Sequence, residues 1–108
     1  AEGRLSLERV VELVAETPAR LYGLYPGKGS LQVGTDADLV LVELAERVLR
    51  DEDVVSKAGW TPYAGRRVVG RPTHTFSRGR LVARDGQPTA APGWGQFLPG
   101  PGAPARLT

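Results

Sequence analysis

The sequence predicts an α+β chain: two short helices, then short and mostly antiparallel strands, then an irregular tail. Three observations carry this. Apolar residues recur at helical spacing near the N-terminus. Short β-prone runs separated by tight-turn residues fill the middle. Five prolines and four glycines stand among the 22 residues from Gln87 to Thr108, too many for a packed element, so the compact part is expected to end near Gly86.

Ser6 can cap a helix, because its hydroxyl can accept from an otherwise unpaired amide of the first turn. Leu7, Val10, Val11 and Val14 then follow the i, i+3, i+4, i+7 spacing of one helical face. Glu8, Arg9, Glu12 and Glu16 take much of the rest of the surface, and the helix is predicted from Leu7 to about Ala15. Thr17-Pro18 reads as an N-cap followed by proline at the first helical position, which predicts a second helix from Pro18 to about Leu24. Tyr25-Pro26-Gly27 stops it, since proline disfavours a helical residue before it.

From Gly29 onward the period changes. Ser30 to Val33 alternates briefly, and Gly34-Thr35-Asp36 reads as a turn. Leu39-Val40-Leu41-Val42, inside a run from Ala37 to Leu44, is continuously apolar and fits a strand covered on both faces. Arg47 to Leu49, Val68-Val69, Thr73 to Ser77 and Leu81 to Ala83 predict further short strands, with Arg78-Gly79 as a tight turn between the last two. Asp85-Gly86 can turn a hairpin, although the sequence after it is a poor strand. Apolar helices and a doubly apolar strand need a covering layer, and the chain does not contain enough structure to provide one.

The composition bounds the function. At 108 residues the chain is one small domain at most, with 41% apolar and 6% aromatic residues. It has no cysteine, which excludes disulfides and thiolate metal sites and is compatible with a reducing cytoplasm. No apolar run approaches the roughly 20 residues that span a bilayer, and the first residues lack the apolar segment of a secretory signal. The chain contains no methionine and is therefore expected to be processed or cut from a longer product. Net charge is +2 and the isoelectric point about 9.4, so nucleic acid matters only if the positive charge is clustered.

Each candidate site has a plain alternative. Gly27-Lys28-Gly29-Ser30 invites a phosphate-loop reading, but Gly23 stands four residues before Gly27 where that motif needs five. The segment also follows a helix and opens a strand, the reverse of a phosphate loop, so a turn is favoured. His74 is the only histidine and cannot assemble a catalytic zinc site, which takes about three protein ligands; a partly exposed strand residue is expected. Asp36 and Asp38 flank a turn, and Asp36 is expected to cap it. Thr35, Ser56 and Ser77 offer hydroxyls without the elbow or base that a nucleophile needs. Arg66, Arg67, Arg71, Arg78, Arg80 and Arg84 are six arginines within 19 residues. With Tyr63 and Phe76 for stacking they could form a nucleic-acid stripe, although Asp51-Glu52-Asp53 could offset them. Ser56 to Gly65 is too rich in Gly and Pro to be an element, and its Trp60 and Tyr63 are expected to plug an apolar groove.

These residues together resemble a family. Thr17-Pro18-Ala19-Arg20 with Gly23-Leu24 looks like the "NPA+... GL" helix pair of cyclic amidohydrolases. Gly27 to Val40 is similar to the "GxIxxGxxADLV" hallmark of the amidohydrolase superfamily. Ser56-Lys57-Ala58 with Thr61-Pro62-Tyr63 and Gly65 resembles the dihydroorotase pattern "SKxxxTPFxG". Gly70-Arg71-Pro72, Thr75 and Arg78-Gly79-Arg80-Leu81-Val82 resemble the "G+P..T..RG+VV" that follows. The resemblance spans almost all of Leu5 to Gly86. The tail around Gly93-Trp94-Gly95-Gln96-Phe97-Leu98 looks more like allantoinases.

The resemblance implies a two-part enzyme. Residues 1–25 would be the helical end of a TIM-type barrel, residues 26–86 part of an accessory β-sandwich, and residues 87–108 a tail. The parent would be a metal-dependent hydrolase of cyclic amide bonds, dihydroorotase of pyrimidine biosynthesis first, allantoinase or dihydropyrimidinase/hydantoinase as alternatives. Its zinc would be held by a His-x-His pair, a carboxylated lysine, two further histidines and an aspartate. No residue here matches any of these, so no catalytic, cofactor-binding or metal residue is assigned and the chain alone is expected to be inactive and cofactor-free. The expected partners are the barrel and N-terminal strands of the parent and further copies in a cytoplasmic homo-oligomer, with neither membrane nor nucleic acid. The exposed sheet edges predict that the isolated chain self-associates. Two readings outside the enzyme class stay open: a small arginine-rich module that binds nucleic acid or protein, and a structural subunit docking onto a separate barrel chain.

Overall fold

A helical run begins where Ser6 was expected to cap it, the Ser6 hydroxyl accepting from the Arg9 amide at 3.2 Å. In the computed structural model, which describes residues 2–101, the run comprises α1 (Leu7–Val11), a π-helical turn (Glu12–Glu16) and α2 (Thr17–Leu21) without interruption. The two separate helices read from Thr17-Pro18 are therefore one. Pro18 has no N–H and its ring crowds the carbonyl of the preceding turn. The wider π turn just before it absorbs this: the Thr17 amide donates to the Glu12 carbonyl, and Thr17 keeps helical backbone angles instead of capping a new start.

The run ends at Leu21, three residues earlier than expected. Gly23 takes a left-handed φ of 71°, and the Leu24 amide returns to the Ala19 carbonyl at 2.8 Å, the closing pattern of a Schellman cap. The chain then passes a cis Tyr25-Pro26 bond and lays Gly29 against the helix. A Cβ built at Gly29 would stand 2.6 Å from the Ala19 Cβ and 2.8 Å from the Ala15 carbonyl oxygen. Only glycine can approach a helix so closely. Ala19, 6% exposed, is the one buried apolar residue among the described residues.

The strands form one antiparallel sheet in the order β1 (Leu39–Val48), β2 (Arg67–Ser77), β3 (Arg80–Arg84) and β4 (Gln87–Pro88). Ser30 to Val33 forms no strand. Arg47 and Val48 extend β1 rather than opening a new strand, because a bulge between Glu43 and Glu46 carries the pairing on. β2 likewise runs through Pro72. Leu41 pairs with His74 and Val42 with Pro72, which leaves Thr73 as the extra residue and puts the missing proline N–H at an irregularity. Arg78-Gly79 (φ 46° and 79°) and Asp85-Gly86 (φ 49° and 79°) both turn hairpins in left-handed backbone. The sheet thus continues past Gly86 into the two residues of β4.

Helix and sheet do not pack on one another. No strand comes within 8 Å of the helical run, Cα to Cα, among the described residues, and Val10 faces Val68 across an open groove of about 400 Å³. Leu39 to Val42 was expected to be covered on both faces, yet Val40, Leu41 and Val42 are about half exposed. The chain exposes 8776 Å², against roughly 5,800 Å² for a folded monomer of this mass. The expected tail, 87–108, is described only as far as Pro101, and residues 102–108 lie outside the described residues.

The close approach at Gly29 yields a prediction. Gly29→Ala should lower stability by about 2–3 kcal/mol, through overpacking and left-handed strain together. Gly34→Ala, at φ 91° but facing open space, should cost only about 1 kcal/mol. Urea unfolding of the full-length variants measures both, and equal losses would contradict the packing argument.

Candidate functional site

The densest polar constellation is a knot around Lys28. Its Nζ stands 2.5 Å from Asp38 Oδ2 and 3.0 Å from Asp36 Oδ2. The loop that carries these residues is built locally. The Ser30 hydroxyl donates to the Pro26 carbonyl at 2.7 Å and the Thr35 hydroxyl to the Gln32 carbonyl at 2.8 Å, while the Asp36 amide donates to the Gly27 carbonyl at 3.1 Å. The other Asp38 oxygen, Oδ1, accepts from the backbone N–H of Arg78 at 2.8 Å. Next to it, the Gly79 amide donates to the Ala37 carbonyl at 2.9 Å. One carboxylate therefore joins the loop below the helix to the β2–β3 turn.

The electrostatics fit a structural role. Hydrogen bonding to Asp38 raises the Lys28 pKa; desolvation opposes this, and Asp36 adds to it. Desolvation pushes the Asp38 carboxyl up, but the bonds from Lys28 and the Arg78 amide and their Coulomb attraction outweigh it and hold it below the usual aspartate range. Asp36 was expected to cap its turn through its side chain; its carboxylate instead shares the Lys28 ammonium, and the Thr35 hydroxyl makes the bond within the turn. An ammonium between two carboxylates opposes a metal ion at the same place. Among the described residues no group of three or more His, Asp or Glu is arranged to hold one, so the residues present do not fit a zinc centre.

The remaining candidates are dispersed. His74 lies half-buried in β2, its Nδ1 3.0 Å from the Thr73 hydroxyl and its ring stacked on Phe76, in keeping with a strand residue. The Thr35 hydroxyl is engaged in its own turn, Ser77 gives its carbonyl to Trp94, and Ser56 lies in an exposed loop. The arginines do not form a stripe. Arg71 pairs with Glu43 at 3.1 Å and Asp85 at 3.6 Å, Arg67 with Glu46, and Arg84 with Asp85, while Arg78 and Arg80 stack on Trp94. The offsetting acids come from β1 and the β3–β4 turn rather than from Asp51-Glu52-Asp53.

The loop from Arg50 to Arg66 is held by its own hydrogen bonds and is largely exposed. Leu49 and Arg66 close its neck, the Leu49 amide donating to the Arg66 carbonyl at 2.9 Å. Asp51 accepts from the Thr61 amide at 2.9 Å, and the Thr61 hydroxyl accepts from the Tyr63 amide at 3.2 Å. Trp60 and Tyr63, expected to plug a groove, are instead 61% and 55% exposed. The helix presents Leu7, Val14 and Leu21 in the same unpartnered way.

Two features went unread in the sequence. Lys28 was read only within the Gly27-Lys28-Gly29-Ser30 turn, with no sign of its pairing with Asp36 and Asp38 eight and ten residues on. Trp94 gave only the pattern Gly-Trp-Gly, in a segment judged irregular, yet its indole N–H donates to the Ser77 carbonyl at 3.0 Å.

The family model described as "Amidohydrolase family" matches residues 1–82. An L-hydantoinase of Paenarthrobacter aurescens is 44% identical over 98 residues, 90% of this chain and 21% of that protein. A dihydroorotase of Methanothermobacter thermautotrophicus is 39% identical over 100 residues, 92% of this chain and 22% of that protein. The solved structure of the L-hydantoinase (dihydropyrimidinase) from Arthrobacter aurescens superposes with a TM-score of 0.82 at 44% identity, covering 89% of this chain and 22% of that one. The chain thus spans about a fifth of the length of the curated relatives it matches.

The knot predicts a pH dependence with two limbs. The Asp38 carboxyl is lowered on folding, so its contribution is present above about pH 4 and is lost as pH falls through the folded value. The Lys28 ammonium is raised, so its contribution is present below about pH 10 and is lost as pH rises through its folded value. Asp38→Asn should flatten the acid limb. A double-mutant cycle with Lys28→Met should give a coupling of about 0.5–1 kcal/mol, as befits a partly exposed pair. Unfolding curves across pH that superimpose for wild type and Asp38→Asn would contradict this.

Proposed function

This chain belongs to the amidohydrolase family, and we propose that it is the C-terminal part of a hydrolase that opens cyclic amide rings. The observation that carries the reading is similarity sustained over nine-tenths of the chain in both sequence and fold to enzymes named as hydantoinases. The Ser56 to Gly65 motif alone favoured dihydroorotase. The 44% identity to an L-hydantoinase, and solved neighbours named D-hydantoinase and dihydropyrimidinase, move the preference to the hydantoinase and dihydropyrimidinase branch.

In this reading the chain's task is architectural. The helical run would close a TIM-type barrel, and β1 to β4 would form part of an accessory β-sandwich. The unpartnered apolar residues support that placement: Val14 and Leu21 on the helix and Leu44 on β1 are 70%, 76% and 69% exposed, a cost that burial elsewhere would remove at roughly 25 cal/mol per Å². The metal centre, zinc in this proposal, would sit in the remainder of the protein, since active sites of such barrels lie at the C-terminal ends of the strands. The remaining partners are the rest of the parent chain and further copies of it in the cytoplasm. No helix among the described residues is long and apolar enough to cross a membrane.

Assays of the full-length protein on hydantoin, dihydrouracil and dihydroorotate test the substrate class. Ring opening of hydantoin or dihydrouracil is expected at least about tenfold faster, by kcat/KM, than that of dihydroorotate, and the 108-residue chain alone should turn over none of them. Preferred hydrolysis of dihydroorotate would reverse the branch assignment. No ring opening at all would remove the proposal.

A further inference from the structure

The tail beyond the matched family region is bound to the molecule at three places. The Thr89 amide and hydroxyl donate to the Val82 and Leu81 carbonyls, both at 2.9 Å. Trp94 is half-buried against the β2–β3 turn, with Arg78 and Arg80 at 4.3 and 4.9 Å from its ring and its indole N–H on the Ser77 carbonyl. The Arg78 guanidinium also donates through Nη2 to the Trp94 carbonyl. Further on, Pro101 occupies the space beside Gly23 that a Cβ would need. The tail therefore runs from the sheet to the end of the helix, two parts that do not otherwise pack together.

Arg78 is the unusual member. It takes φ 46°, a region that disfavours residues with a Cβ, and asparagine, aspartate or glycine is the common choice at this turn position. An arginine there makes sense if both of its ends are used. Its amide holds Asp38, and its guanidinium holds Trp94. We propose that residues 87–101 are a strap, latched by Trp94, and that the latch keeps the β2–β3 turn in the conformation that receives Asp38. Trp94 is a positioning residue in this scheme. It touches neither Lys28 nor Asp38 and acts through Arg78.

Amide hydrogen exchange in the full-length protein tests the latch. Trp94→Ala should speed exchange at the Arg78 and Gly79 amides by about tenfold, the loss expected for a cation–π contact with a hydrogen bond. Amides across the β1–β2 pairing, such as Val40 and Thr75, should stay within twofold of wild type. Arg78→Gly removes the backbone strain together with the latch, and it should also speed exchange at Gly79. Trp94→Phe keeps an aromatic face, though a smaller one, and loses the N–H donor, so a smaller local rise of about threefold is expected, and it decides the matter if the alanine variant fails to fold. Unchanged protection at Arg78 and Gly79 in the tryptophan variants would overturn the proposal. So would equal acceleration throughout the sheet, or slower exchange at Gly79 in Arg78→Gly.

Discussion

One carboxylate joins the two parts of this molecule. The helical run and the sheet share no packing among the described residues, so their relative placement rests on the loop between them, on what that loop holds, and on the tail that reaches from the sheet to Gly23. Asp38 takes the Lys28 ammonium with one oxygen and the Arg78 amide with the other. Gly29 then allows the loop to lie directly on Ala15 and Ala19. An aspartate at the mouth of a strand, a lysine ten residues earlier and a glycine between them are thus parts of one device. This also gives a physical reading of the Gly27 to Val40 motif that marks the family: in this chain it works as a joint rather than as chemistry.

The apolar residues tell the complementary story. A free-standing domain of this size would bury most of its valines and leucines, whereas among the described residues only Ala19 is buried. The sheet has one continuous apolar stretch in β1 and the helix a full apolar face, and neither finds the other. The loop between β1 and β2 adds a third such surface, since its hydrogen bonds hold the backbone around Trp60 and Tyr63 while the rings point away from it. Three surfaces prepared in this way, on a chain that spans about a fifth of its relatives, fit a part designed around a larger body.

Local signals were legible where the responsible residues are neighbours in sequence. Ser6 as a cap, Arg78-Gly79 and Asp85-Gly86 as turns, and the apolar run of β1 all depend on contacts within a few residues. Where reading failed, the deciding contact was remote or the local rule had a second solution. Thr17-Pro18 can begin a helix, but a π turn upstream lets the existing helix pass through it. Pro72 can end a strand, but a bulge at Thr73 carries the strand past. Trp60 and Tyr63 read as groove-filling but stay largely exposed, because two large aromatics in a loop signal a contact without saying which body supplies it. The Trp94 latch was invisible for a similar reason: its partners lie 14 to 17 positions away, behind a segment whose composition argued against structure. The motifs of residues 17–86 revealed the family because they record the joint and the turns.

The central claim is that the apolar faces of the helix, β1 and the Trp60 loop are covered by the remainder of the parent protein. Carbene footprinting of the full-length protein, compared with the 108-residue chain alone, measures that cover directly. Val14, Leu21, Leu41 and Trp60 should be labelled strongly in the isolated chain and several-fold less in the full protein. Equal labelling of those side chains in both would mean that these faces stay open to water, and the account of the chain as a docked part would fail.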